Sequence, residues 1–252
     1  MVDNLKILMS IRLGLWLLIL SLFLSCKDNA LFDSGPTVTR EVTIAEYFSS
    51  IDIENMFDIT LVQDTVKKVL VTCGKNLQSY VSVSVKDSIL VLDHNAKYNW
   101  SRKYEKIKLE VHLIVTPHID IYEPVNLKTR GILKGGNFIL KDWGRVSEVD
   151  ISLDVNSCEL YMASDNFGYF KIKGKSSSAY FEGWGTCQVR ADSLILNYCH
   201  VKHRGMGNVY VNVTGQLIVS LEFTGNVCYT GNPSQIVIEQ QKSSGQLINM
   251  QH

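Results

Sequence analysis

Val149-Asp150-Ile151-Ser152-Leu153-Asp154-Val155 alternates apolar and polar side chains without a break. A strand points successive side chains to opposite faces, so this stretch buries one set and solvates the other. The same period of two recurs along the chain. Ile51 and Ile53 alternate with Asp52 and Glu54, and Val81, Val83 and Val85 alternate with Ser82 and Ser84. Leu109, Val111, Leu113 and Val115 alternate with Glu110, His112 and Ile114. From Val42 onward no long window keeps a helical period. Clusters of Ser, Gly, Asn and Asp punctuate the runs, which predicts an all-β protein.

The second half also repeats. Ser157-Cys158-Glu159-Leu160-Tyr161 is echoed by Ser177-Ser178-Ala179-Tyr180-Phe181, by Tyr198-Cys199-His200-Val201-Lys202 and by Gly225-Asn226-Val227-Cys228-Tyr229. An interleaved series starts at Gly168, Gly185 and Gly207. Each unit reads as two or three short strands that cannot bury an apolar face alone, so the units must stack. A parallel β-helix, or solenoid, of short strands satisfies this; an antiparallel sandwich or meander is the competing arrangement. Val149, Ile151, Leu153, Ile172, Val189, Val201, Val209 and Val211 are then expected in one core, with residues 145–235 as stacked parallel strands. Stacking makes Cys158, Ser178 and Cys199 equivalent, and puts the two thiols two coils apart, too far for a disulfide.

Composition narrows the function. The 252 residues carry 25 basic and 25 acidic side chains and a pI near 7.0. A nucleic-acid partner is disfavoured, because phosphate neutralisation needs a basic surplus. Hydrophobic residues make up 46%, too many for a disordered chain. Residues 1–25 read as a lipoprotein signal peptide forming an N-terminal signal helix. Lys6 and Arg12 precede an apolar run from Leu13 to Leu24, closed by Leu22-Phe23-Leu24-Ser25-Cys26. That ending resembles a bacterial lipobox, so Cys26 is the expected lipidation site. The alternatives are an ordinary signal peptide or an uncleaved anchor, and Met9 competes with Met1 as the start. Lys27 after the Cys leans toward the outer membrane, with the periplasmic or surface face left open. Residues 26–41 read as the lipidated Cys and a flexible tether, 42–240 as the β-helical domain, and 241–252 as a polar tail. The five other cysteines, Cys73, Cys158, Cys187, Cys199 and Cys228, show no C-x-x-C spacing. An odd number leaves at least one unpaired, and buried free thiols are expected.

Several ordered segments resemble the putative auto-transporter adhesin head GIN domain family, exported proteins common in Bacteroidota. They begin with Phe48-Ser49-Ser50-Ile51-Asp52-Ile53 and Phe57-Asp58-Ile59-Thr60-Leu61. They continue through Asp87-Ser88-Ile89-Leu90-Val91, Val115-Thr116-Pro117-His118-Ile119 and Gly205-Met206-Gly207-Asn208-Val209, and end at Thr224-Gly225-Asn226-Val227-Cys228. The resemblance covers roughly residues 44–235. It implies a β-helical architecture and adhesion, and it carries over no catalytic residue. The chain departs from the family's Gly-Ser-Gly turns at Phe223-Thr224 and at Lys202-His203-Arg204.

Candidate sites follow from the strand pattern. His200 and His203 are three apart, so on a strand they face opposite ways and cannot share a metal; no metal site and no cofactor is expected. His112 and His118 read as solvent or strand-end residues. Asp150, Ser152 and Asp154 share an outward face, which admits a carbohydrate-active hydrolase or lyase as the alternative function. Tyr161, Tyr169, Tyr180, Trp184, Tyr198, Tyr210 and Tyr229 lie in the repeating half, where stacked outward rings can form a ladder for a glycan or protein ligand. The competing reading is that they cover corners or an edge. Asp64-Thr65-Val66, Asp87-Ser88-Ile89 and Asp192-Ser193-Leu194 resemble the acceptor of general O-glycosylation in Bacteroidota, with hydroxyls at Thr65, Ser88 and Ser193, all expected at turns. Together these readings predict a non-enzymatic, lipid-anchored envelope protein presenting a binding surface, with a structural envelope spacer as the remaining alternative.

Overall fold

A computed structural model describes residues 34–95 and 106–251. Cys26, the signal segment and the first half of the tether lie outside the described residues. The alternating runs become seventeen strands in one continuous sheet that coils into a β-solenoid of about seven turns. The strands are β1 (Thr37–Thr43), β2 (Ser50–Ile53), β3 (Asp58–Gln63), β4 (Lys68–Gly74), β5 (Val81–Lys86), β6 (Ile89–His94), β7 (Lys108–Leu113), β8 (His118–Ile121), β9 (Asn126–Arg130) and β10 (Leu133–Asp142). There follow β11 (Glu148–Met162), β12 (Tyr169–Gly183), β13 (Gln188–His203), β14 (Val209–Leu221), β15 (Val227–Thr230), β16 (Gln235–Gln241) and β17 (Leu247–Asn249).

The coil has three sides. Wall A stacks β3, β9, the first part of β11 to β14, β15 and β17, all parallel. Wall B stacks β2, β8, and the last part of β10 to β14, then β16, again parallel. A third side joins them through Leu133, Leu153, Gly174 and Leu194, which pair in that order. The strands of the repeating half are therefore not short. Each runs on around a bend, and the bend falls where the alternation slips: Asn156, Ser177 and Asn197 are exposed between the inward residues on either side. Gly174 makes its bend at φ +106°, and a Cβ there would lie 2.0 Å from the Leu153 carbonyl oxygen, so no other residue fits.

Val149, Ile151, Leu153, Ile172, Val189, Val201, Val209 and Val211 are all buried in one core. The stacking register corrects two details of the repeat. Cys158 pairs with Ala179, and Ala179 with Cys199, so Ala179 and not Ser178 holds the equivalent position. Gly225-Asn226-Val227 belongs with Gly207-Asn208-Val209 on wall A, since Val209 pairs with Val227. The serines at both 177 and 178 hide the one-residue offset from sequence alone. Cys158, Cys187, Cys199 and Cys228 are buried free thiols, and Cys73 is buried. Burial pushes the Cys187 thiol up to about 12.

The N-terminal coils differ from the rest. β1 pairs antiparallel with β4, β4 with β7, and β5 with β6. The β5–β6 connection is a two-residue hairpin in which Asp87 and Ser88 both take positive φ, at 51° and 64°. A 3-10 helix at Lys75–Tyr80 buries Leu77 beneath this end. Residues 37–41 of the expected tether lie in β1, where Thr39 and Thr72 share a hydroxyl hydrogen bond of 2.8 Å. Backbone pairing holds this strand, so its polar composition concealed it. The expected tail likewise contributes β17, paired with β15. At the C-terminal end Ile236 and Ile238 sit in the inward columns of Leu217 and Val219, yet are 40% and 50% exposed.

Candidate functional site

Wall B carries the most ordered aromatic array. Glu159, Tyr180 and His200 are neighbours across three successive coils. Tyr161 and Tyr180 lie with ring centroids 5.5 Å apart, and His200 meets Tyr180 edge-on at 5.3 Å. The Tyr161 hydroxyl donates to Glu159 at 2.7 Å, and the Tyr180 hydroxyl to Glu182 at 2.8 Å. Burial and the nearby Glu159 push the Tyr161 phenol up to about 12, and burial with Glu182 raises Tyr180. Both rings are thus neutral, oriented and held partly open on a flat sheet. Tyr198 stands beside them, in register with Ser178.

The seven aromatics do not form one ladder. Tyr169, Tyr210 and Tyr229 stand on wall A, where Arg190 lies 4.3 Å from the Tyr210 ring centre. Trp184 stands at the corner between the walls, with the Arg204 guanidinium 4.7 Å from its ring. Spacing along the chain could not separate these faces, because each coil visits both walls within about twenty residues.

Wall A also holds a shallow groove of about 380 Å³ lined by Asp58, Thr60, Lys108, Lys128, Glu148 and Asp150. Two of its carboxylates, Asp58 and Asp150, are paired within the wall. Lys106 pairs with Asp58 at 3.3 Å, Asn126 Nδ2 donates to Asp58 at 2.7 Å, and Lys173 pairs with Asp150 at 2.5 Å. Asp154, farther along the outward face of Asp150 and Ser152, pairs with Lys175 at 3.5 Å. The outward acids are therefore ion-paired. A carboxyl strongly raised in pKa exists elsewhere: Asp142 is wholly buried at the corner, and desolvation lifts it to about 6. Asn166 Nδ2 donates to its Oδ2 at 2.9 Å, while Oδ1 and the nearby Ser147 hydroxyl have no partner in hydrogen-bonding geometry. It opens onto no cleft.

The histidines separate as strand geometry requires. His203 is buried and His200 faces outward, 3.3 Å from Glu239. Among the described residues no cluster of three or more His, Cys, Asp or Glu is arranged to hold a metal. His112, expected in solvent or at a strand end, lies near the end of β7 and is buried between two acids: Nδ1 lies 2.8 Å from Asp64 and Nε2 3.0 Å from Glu110, which Arg130 clamps at 2.6 Å. The hydrogen bond from His112 holds the Asp64 carboxyl below its ordinary range, with Thr65 contributing. Thr65 and Ser88 are exposed at turns. Ser193 is exposed too, but within β13, where the pairing register shifts on both sides.

A family model described as putative auto-transporter adhesin, head GIN domain, matches residues 47–233. The chain belongs to this family. The head GIN fold is also that of a putative adhesin from Bacteroides fragilis, with a TM-score of 0.76 at 20% identity over 85% of this chain and 97% of that one. A putative adhesin from Parabacteroides distasonis gives 0.62 at 18% identity, covering 86% and 98%. One from Parabacteroides merdae gives 0.59 at 16%, covering 86% and 97%. No curated protein matches the chain. Membership in the head GIN family supports an adhesion or binding role at the cell envelope or surface. Among the described residues no helix is long and apolar enough to cross a membrane.

Proposed function

We propose that this head GIN domain is a non-enzymatic, lipid-anchored envelope protein that uses wall B to bind a glycan or protein ligand. One observation carries the reading: the rings of Tyr161, Tyr180 and His200 pack against one another on wall B, Tyr180 in register with His200 and Tyr161 set diagonally, with the phenols fixed by Glu159 and Glu182. Rings presented this way offer apolar faces for sugar or side-chain stacking, and their hydroxyl–carboxylate pairs offer polar edges. Little ordering entropy is lost on binding, because the coil already holds the rings. The carbohydrate-active alternative loses its support where Asp150 and Asp154 are neutralised by lysines.

An array of glycans and extracellular-matrix proteins, probed with the purified full chain, tests this. Binding that is lost in Tyr180→Ala and retained in Tyr229→Ala, on the other wall, is the expected result. Binding indifferent to Tyr180, or cleavage of an arrayed glycan, would overturn it.

A further inference from the structure

The turn from wall B to wall A recurs at one position in coil after coil. Trp143 N donates to Ile121 O, Ala163 N to Asp142 O, Arg204 N to Gly183 O and Glu222 N to His203 O. Along this corner large apolar side chains point outward instead of inward. Phe167 is 60% exposed, Val146 55%, Met206 54%, Trp143 51%, Phe223 46% and Trp184 38%. They span four coil steps, about 19 Å at the inter-strand spacing. Solvent-exposed turns ordinarily carry polar residues, and a continuous apolar line of this kind marks a contact surface.

We propose that this corner is a membrane-contact ridge, which lays the solenoid side-on against the headgroup–acyl boundary of a lipid bilayer. The inference rests on the lipid-anchor reading above and extends it. Three features select a bilayer over a protein groove. The side chains project from a convex edge in a single line, so one plane can touch them all without a complementary cleft. Two of the six are Trp, the residue most at home at headgroup depth, beside Phe, Met and Val, which suit the acyl boundary. The charges on the same turns are internally neutralised: Arg145 pairs with Asp165 at 2.9 Å, and Glu222 with Arg204 at 3.3 Å and Lys242 at 4.0 Å. These ion pairs limit the charge that approach to a low-dielectric surface would strand, and the Trp143 indole N–H donates to Asp120 at 3.0 Å where the ridge meets wall B. Reach is adequate, because Ser34 follows Cys26 by eight residues. At about 3.5 Å per residue the anchor holds the domain within about 28 Å of the bilayer. A three-sided coil resting on one corner leaves both adjoining walls open to a ligand.

Fluorescence quenching by brominated phosphatidylcholine in vesicles tests the ridge. The protein carries Trp16→Phe and Trp100→Phe, so that only Trp143 and Trp184 report. The membrane-purified protein is compared with its Cys26→Ala form. Vesicle-bound protein should be quenched, and Phe167→Asp combined with Met206→Asp should remove most of the quenching. Ile195→Asp, on the third side, should leave it intact. Phe167, Met206 and Ile195 are all solvent-exposed, and circular dichroism checks that the coil is retained. Protein that co-sediments with vesicles yet shows no quenching overturns the ridge and leaves the anchor standing. If Cys26→Ala co-sediments and is quenched like the parent, the anchor reading fails while the ridge stands.

Discussion

Replacing Asp142 by Asn gives the sharpest test of the corner packing. Asp142 is fully buried, and desolvation raises its carboxyl from 3.8 to about 6. Between these values the folded protein keeps a proton that the unfolded chain has released, so stability falls as pH rises through the window. The loss is complete above the folded value, and a shift of about two pH units corresponds to about 3 kcal/mol. Asn cannot ionise, and it can still accept the Asn166 hydrogen bond. The variant should match the parent near pH 4 and exceed it by up to about 3 kcal/mol at pH 7.5. Urea unfolding across this range, read as the difference between the two proteins, isolates the residue. The subtraction matters because burial lowers His94 and His203, whose contribution rises with pH and runs the other way. Parallel curves for the two proteins from pH 4 to 7.5, or a variant less stable than the parent at pH 7.5, would refute the reasoning.

Val209→Asp, at a buried position on wall A, should cost several kcal/mol by burying an unpaired charge, seen as a lower urea midpoint; an unchanged midpoint contradicts the stacking. Cys26→Ala should shift the protein from the membrane to the soluble fraction of envelope extracts, and unaltered fractionation rules out lipidation there. Intact mass from the native host should show a glycan increment that disappears when Thr65, Ser88 and Ser193 are all changed to Ala; an unmodified mass ends that proposal.

Core-facing residues were legible because period two survives through Val149–Val155 and Val209–Val213, where inward side chains such as Val149 and Val209 meet others above and below. The N-terminal pairing was less legible. Thr37–Thr43 has no buried apolar face to mark it, and its backbone partners in β4 lie 25 to 37 residues away. The split of the aromatics was hidden for a different reason. A coil carries Tyr169 to wall A and Tyr180 to wall B within one strand, and the bend at Ser177 leaves only a slipped alternation as its trace. The corner ridge was not legible because Phe167, Trp184, Met206 and Phe223 sit in turns about twenty residues apart, and lone apolar residues in turns carry no period. The burial of His112 left no trace in the sequence because its partner Asp64 lies in another turn of the coil.

The register from Cys158 to Ala179 to Cys199 advances by 21 and then 20 residues, and the partners stay in line. Reach along the axis is consequently a quantised property. A short insertion at a bend can bulge outward, but it adds no length. A lineage of such proteins can grow or shrink only by duplicating or deleting a whole lap of chain. Variation in stature among them should therefore come in steps, each step preserving both walls and adding one more rung to each.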